Sequence, residues 1–130
     1  MAFEVLEAVL PAQAAAGATS VTIVGDVPSS FSQPSYSAGK LSLTAPSLVT
    51  GVTTNTATVN FRQLRAGAAV ATIGTLALIN GVNLAAETEV NVPVTGSPSL
   101  LDGDVIDVQL VQGGTGLTLP AGIVAKVELT

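Results

Sequence analysis

The last quarter of the chain, Ser99 to Thr130, alternates with period two over two separate runs, and that pattern suits a sheet and not a helix. Ile106, Val108 and Leu110 alternate with Asp107 and Gln109. Ile123, Ala125, Val127 and Leu129 alternate with Val124, Lys126, Glu128 and Thr130. Successive side chains of a strand point to opposite faces, so each run has one apolar face to bury. Gly113, Gly114 and Gly116 stand between the runs, which predicts a β-hairpin, or two sheet strands joined by a glycine-rich turn. The remaining residues are expected to cover the apolar face so formed.

The same pattern recurs upstream. Val21 and Ile23 flank Thr22 before a turn at Gly25-Asp26; Leu41 and Leu43 alternate with Ser42 and Thr44 up to Pro46. Leu48 to Val52 is apolar but broken by Gly51. Ala57, Val59 and Phe61 alternate with Thr58, Asn60 and Arg62, and Arg65-Ala66-Gly67 turns the chain. The most apolar run, Ala68 to Ile79, falls short of the roughly 20 residues a helix needs to cross a bilayer, and Thr72, Gly74 and Thr75 interrupt it. Gly74 shifts the alternation and predicts a β-bulge. Asn80-Gly81 predicts a two-residue type I′ hairpin, because both residues tolerate positive φ. Val90, Val92 and Val94 alternate with Glu89, Asn91 and Pro93, and the proline places this run at a sheet edge or strand end. The sum is about eight short strands with closely spaced turns: an all-β chain with a single antiparallel β-sandwich or jelly-roll-like domain over residues 19–130. The strand–helix alternation of a parallel α/β sheet is missing.

Residues 1–18 read differently. Phe3 to Leu10 is closed by Pro11, and Val5, Leu6, Val9 and Leu10 recur with near-helical spacing, although a strand or an extended arm fits equally well. Ala12 to Ala18 has no large side chain to anchor it and reads as a linker. The segment is therefore expected to reach outward as an N-terminal arm. Glu4 and Glu7 stand where a secretion signal carries its basic residues, so no such signal is expected.

Composition narrows the function classes. In 130 residues, hydrophobic types make up 48% and charged types 10%, well below the roughly 25% usual for soluble domains. So little charge suits a chain whose surface is partly covered, and a homo-oligomer or a docked partner is expected. The net charge is −5, and the four basic residues, Lys40, Arg62, Arg65 and Lys126, form no stripe. Nucleic acid is thus an unsuitable partner, since its binders displace counterions with clustered cations, and an anionic membrane is disfavoured for the same reason. The chain has no cysteine and no histidine, and it lacks the nucleophile-elbow, P-loop and dinucleotide motifs. No enzyme and no cofactor are expected.

A few residues are candidates for more specific roles. Asp102, Asp104 and Asp107 form an acidic string; a turn at Asp102-Gly103 with Asp107 facing solvent is the plain reading, and oxygen ligands for calcium the alternative, although the spacing departs from an EF-hand loop. Glu87 and Glu89 share a face if they lie in a strand, but a paired-carboxylate glycosidase site needs a second acid across a cleft and aromatic platforms, and aromatics make up only 3%. Phe31 and Tyr36 lie in a long polar loop, Pro28 to Gly39, as plugs pinning it to the sandwich or as a ligand platform. Arg62 and Arg65 are the one close basic pair, either solvated or bridging to acids of a neighbouring molecule.

From Arg62 to Thr130 the chain resembles the small β-sandwich virion proteins of tailed bacteriophages, above all the capsid decoration (cement) proteins. The resemblance rests on the turn Arg65-Ala66-Gly67 leading into Val70-Ala71-Thr72, on the strand start Gly103-Asp104-Val105-Ile106, and on Thr115-Gly116-Leu117 with Pro120-Ala121-Gly122 feeding a final alternating strand. It covers about half the chain, through structural motifs shared by many β-rich modules. It implies a structural protein, made in the host cytoplasm, that sits on the capsid surface as a homotrimer and clamps neighbouring capsomers of the major capsid protein. By the same analogy Phe3, Val5, Leu6, Val9 and Leu10 of the arm are candidate shell contacts, with Phe31, Tyr36, Arg62 and Arg65 as further partner-binding candidates. The competing expectation is a tail-fibre, baseplate or adhesin module that binds a host glycan through the Pro28 to Gly39 loop.

Overall fold

Ten strands account for all the regular structure in the computed structural model, which describes residues 4–17 and 19–130. They are β1 (Glu4–Leu10), β2 (Ser20–Asp26), β3 (Ser35–Tyr36), β4 (Ala38–Thr44), β5 (Thr56–Arg65), β6 (Ala68–Leu78), β7 (Glu89–Val92), β8 (Leu100–Leu101), β9 (Val105–Gly113) and β10 (Ile123–Leu129). Two four-stranded antiparallel sheets, β1-β10-β4-β7 and β2-β9-β5-β6, form the sandwich, and β3 and β8 make a small separate pair. With the two-residue strands set aside, the sheets read first-eighth-third-sixth and second-seventh-fourth-fifth, which is the order of a jelly roll. The expected all-β sandwich is therefore the fold.

The order has a simple origin. Arg65 pairs with Ala68 at the tip of the β5–β6 hairpin, and the partners further out are Leu41 with Val92, Ser20 with Leu110, and Glu4 with Leu129. The two halves of the chain form one long ribbon doubled at Ala66-Gly67 and wrapped into two layers. Ala66 (φ 54°) and Gly67 (φ 79°) both have positive φ, as a two-residue type I′ turn requires.

Alternation decides what is inside. In β5, Ala57, Val59, Phe61 and Gln63 are buried while their neighbours are not; in β10, Ile123, Ala125, Val127 and Leu129 are buried. Apart from Gln63, these side chains meet Leu41, Leu43, Ile73, Leu78, Ile106, Val108 and Leu110 in one core. The bulge expected at Gly74 is present: the β5–β6 register slips between Phe61 and Arg62, leaving Ile73 as the extra, buried residue. A Cβ on Gly74 would stand 2.8 Å from the Pro93 carbonyl oxygen and closer still to Leu41 Cδ1, so only glycine lets these elements approach. Pro93 follows the last residue of β7, an edge strand.

Three expectations change. Glu4–Leu10 does not reach outward: it pairs with β10 over all seven residues and completes a sheet. The near-helical spacing arises because an edge strand carries apolar side chains on both faces, with Leu6, Ala8 and Leu10 on the core and Val5 and Val9 outside. Second, of the two arrangements open for β9 and β10 the hairpin is excluded and the other holds: they are strands of opposite sheets joined through the glycine-rich turn, where Gly116 N–H donates to the Gly113 carbonyl. Third, Asn80-Gly81 turns the chain, with Val82 N–H donating to the Ile79 carbonyl, but only Gly81 has positive φ, so the turn is not type I′. The chain then bridges from Leu84 to Val49 before β7 joins the other sheet.

Candidate interaction surfaces

The four basic side chains are all engaged within the described residues. Arg62 lies on β5 opposite Asp107 on β9, so both project from the outer face of the sheet. The guanidinium grips the carboxylate with two hydrogen bonds, Nε to Oδ1 at 2.9 Å and Nη2 to Oδ2 at 2.7 Å. The Asp107 side chain is only 2% exposed beneath this roof. Arg65 holds Asp104 in the same bidentate way, at 2.9 and 2.8 Å. Asp104 Oδ2 also accepts from Gln63 Nε2 (2.8 Å) and from the Leu101 backbone N–H (2.9 Å). Gln63 points into the core yet is satisfied there, since its amide also donates to the Ser99 carbonyl.

The Arg65 guanidinium holds the Asp104 carboxyl down at about 2, against the opposing effect of burial, with the Leu101 N–H and Gln63 adding to the depression. Hydrogen bonds to these acids raise both arginines above their ordinary value, Arg62 through Asp107 and Arg65 through Asp104. On the other sheet Glu89 receives Lys40 at 2.5 Å and Lys126 at 2.9 Å. Lys40, then Lys126, then Ser42 bring Glu89 to about 2, and Glu89 in turn raises Lys126.

The reading of Arg62 and Arg65 as solvated groups or bridges to a neighbouring molecule leaves out their partners in the same chain, 45 and 39 residues away; Arg65 is still 44% exposed, Arg62 only 20%. The pairing also takes apart the acidic string. Asp104 and Asp107 are buried and closed by arginines, and Asp102 is exposed in the turn at Gly103. Among the described residues no three His, Cys, Asp or Glu side chains come together, and no pocket is present. The carboxylates of Glu4, Glu7, Asp26, Glu87, Asp102 and Glu128 have no ion-pair partner among the described residues.

The remaining candidates divide by exposure. Tyr36 is 3% exposed and is a core plug in β3, whereas Phe31 stands wholly in solvent at 112% and pins nothing. Leu10 is buried and Leu6 leans on Gly25 of β2, so neither is offered to a partner; Val5 and Val9 are, at 44% and 64%. Phe3 lies outside the described residues. Sequence reasoning also missed an exposed pair, Val21 (51%) and Ile23 (64%) on β2. Their alternation marked a strand, but only the register, which sets Val21 against Gln109 and Ile23 against Asp107, shows that they face outward.

The sheet edges differ as well. β6 carries two register shifts, β2 one, and β7 is four residues long and runs into Pro93, all features that discourage strand addition. β1 has an unbroken seven-residue register and keeps its other edge outside any ladder. Compared with protein-family models, with curated proteins and with solved structures, the chain finds no match in any of the three.

Proposed function

We propose that this chain is a structural virion protein that binds the outside of a phage capsid and stabilises the shell by cementing neighbouring capsomers. One observation carries the reading: β1, the regular edge strand, presents Val5 and Val9 to solvent on either side of Glu7, whose carboxylate has no ion-pair partner among the described residues. An apolar strip with acidic neighbours fits a partner surface that is apolar and basic, here the major capsid protein, through strand addition or side-chain burial. The jelly-roll order supports the reading as a fold common among viral capsid proteins, although lectins share it. Copies that assemble with one another, as the proposed trimer does, gain further by multivalency, because one docked subunit raises the effective concentration of the rest.

Expanded empty shells assembled from the cognate major capsid protein provide the test, by co-sedimentation with the wild type and with the double variant Val5→Asp, Val9→Asp. The wild type is expected to pellet with the shells and the folded variant to remain in the supernatant. Equal pelleting of both, or no pelleting of the wild type, overturns the reading.

Phe31 favours a second reading, in which the Pro28 to Gly39 loop stacks on a host glycan. Its ring is fully exposed, as a sugar platform requires, while Tyr36 is withdrawn into the core. Glycan-array binding by the wild type that disappears in Phe31→Ala would favour this reading over the capsid one.

A further inference from the structure

We infer that the outer face of the β2-β9-β5-β6 sheet is where one copy of this chain meets another. Two cross-strand rows make the centre of that face: Val21, Gln109, Asn60 and Thr75, and beside them Ile23, Asp107, Arg62 and Thr72. In the first row the polar groups are already joined sideways, Thr75 Oγ1 to Asn60 Oδ1 at 2.8 Å and Asn60 Nδ2 to Gln109 Oε1 at 3.2 Å. In the second, Arg62 and Asp107 close on each other. A face whose polar groups have partners before contact loses little when water leaves, and its gain comes from covering Val21 and Ile23.

Charge selects the occupant. The chain carries a net −5, so two copies repel wherever unpaired carboxylates come together. The outer face of the other sheet bears Glu7, opposite Lys126 in the β1–β10 register, and Glu128, two residues along β10; neither has an ion-pair partner among the described residues, because Lys40 and Lys126 are both taken by Glu89. On the β2-β9-β5-β6 face the central rows hold no unpaired charge, and Asp26 stands apart at the end of β2. A basic partner has no anionic anchor in the middle of this face, whereas an identical neutral surface meets it without a like-charge contact. The inference deepens the proposed oligomer yet is independent of shell binding, which uses β1.

Sedimentation velocity on the full chain tests it, with Ile23→Glu and Thr75→Arg as two independent probes of the face and Val9→Glu as a control on the other sheet. The wild type and Val9→Glu are expected to sediment as the same oligomer, and the two face variants to weaken self-association by about tenfold or more while keeping the wild-type circular dichroism. A monomeric wild type, an oligomer unaffected by both face variants, or dissociation by Val9→Glu overturns the inference. A wild type that forms the oligomer but does not pellet with the shells counts against the capsid reading alone.

Discussion

Arg62 and Asp107, 45 residues apart in sequence, stand directly opposite each other in the β5–β9 ladder and seal a carboxylate that is almost wholly out of water. The pair ties the two central strands of one sheet together on the side away from the core.

Removing one partner leaves the other stranded. Arg62→Ala is expected to lower stability by about 2 kcal/mol, because a carboxylate roofed by a guanidinium is left without its counter-charge. The double replacement Arg62→Leu, Asp107→Val is expected to regain most of that loss. Urea unfolding of the wild type, Arg62→Ala and the double variant measures it; a single-variant effect below about 0.5 kcal/mol would mean that water satisfies Asp107 unaided.

Acid sensitivity follows from Asp104. Its folded pKa of about 2 lies below the unfolded value of about 3.9, so its contribution is fully present above pH 4 and fades as the pH falls towards 2. Asp104→Asn is expected to be less stable at neutral pH and to show a flatter decline across that window. Glu89, also held near 2, acts in the same window, but its pairs with Lys40 and Lys126 are open to solvent. Added salt should therefore reduce the Glu89→Gln difference more than the Asp104→Asn difference. Urea midpoints against pH at low and high salt give the comparison, and identical acid limbs for wild type and Asp104→Asn would refute the assignment.

Adjacent residues of β1 should behave oppositely. Leu10→Ala is expected to cost about 2–4 kcal/mol, since the side chain is 1% exposed in the core. Val9→Ala, at 64% exposure, should stay within about 0.5 kcal/mol. Deletion of residues 1–11 should abolish cooperative melting, because it strips β10 of its neighbour and uncovers the core beneath Leu10. A truncated chain that melts like the wild type would show that β1 is dispensable.

What the sequence made legible is what depends on neighbours in the chain. The alternation of β5 and β10, the slip at Gly74 and the edge position announced by Pro93 are local consequences of side-chain direction, a missing Cβ and a missing N–H. Pairing at long range left no such mark. Nothing near Val5 signals that Glu128 lies opposite, and nothing near Arg65 points to Asp104. The outward display of Val21 and Ile23 was hidden for the same reason: an apolar, polar, apolar triplet reads as core-facing until its register is known.

The turn at the middle of the ribbon can be improved. Ala66 adopts φ 54°, a conformation in which its Cβ is strained and asparagine is better tolerated, and type I′ turns favour Asn-Gly. Ala66→Asn is expected to stabilise the protein by about 0.5–1 kcal/mol. The rate it alters is the more telling measurement. The strand pairs nest outward from this turn, so closing Glu4 onto Leu129 before the inner pairs form incurs the entropy of a loop that takes in nearly the whole chain. If folding starts at the tip, the gain appears in the refolding limb and leaves unfolding unchanged, a φ-value near one. A gain confined to the unfolding limb would place the first contacts elsewhere, with the β5–β9 ladder and its Arg62–Asp107 pair as the next region to probe.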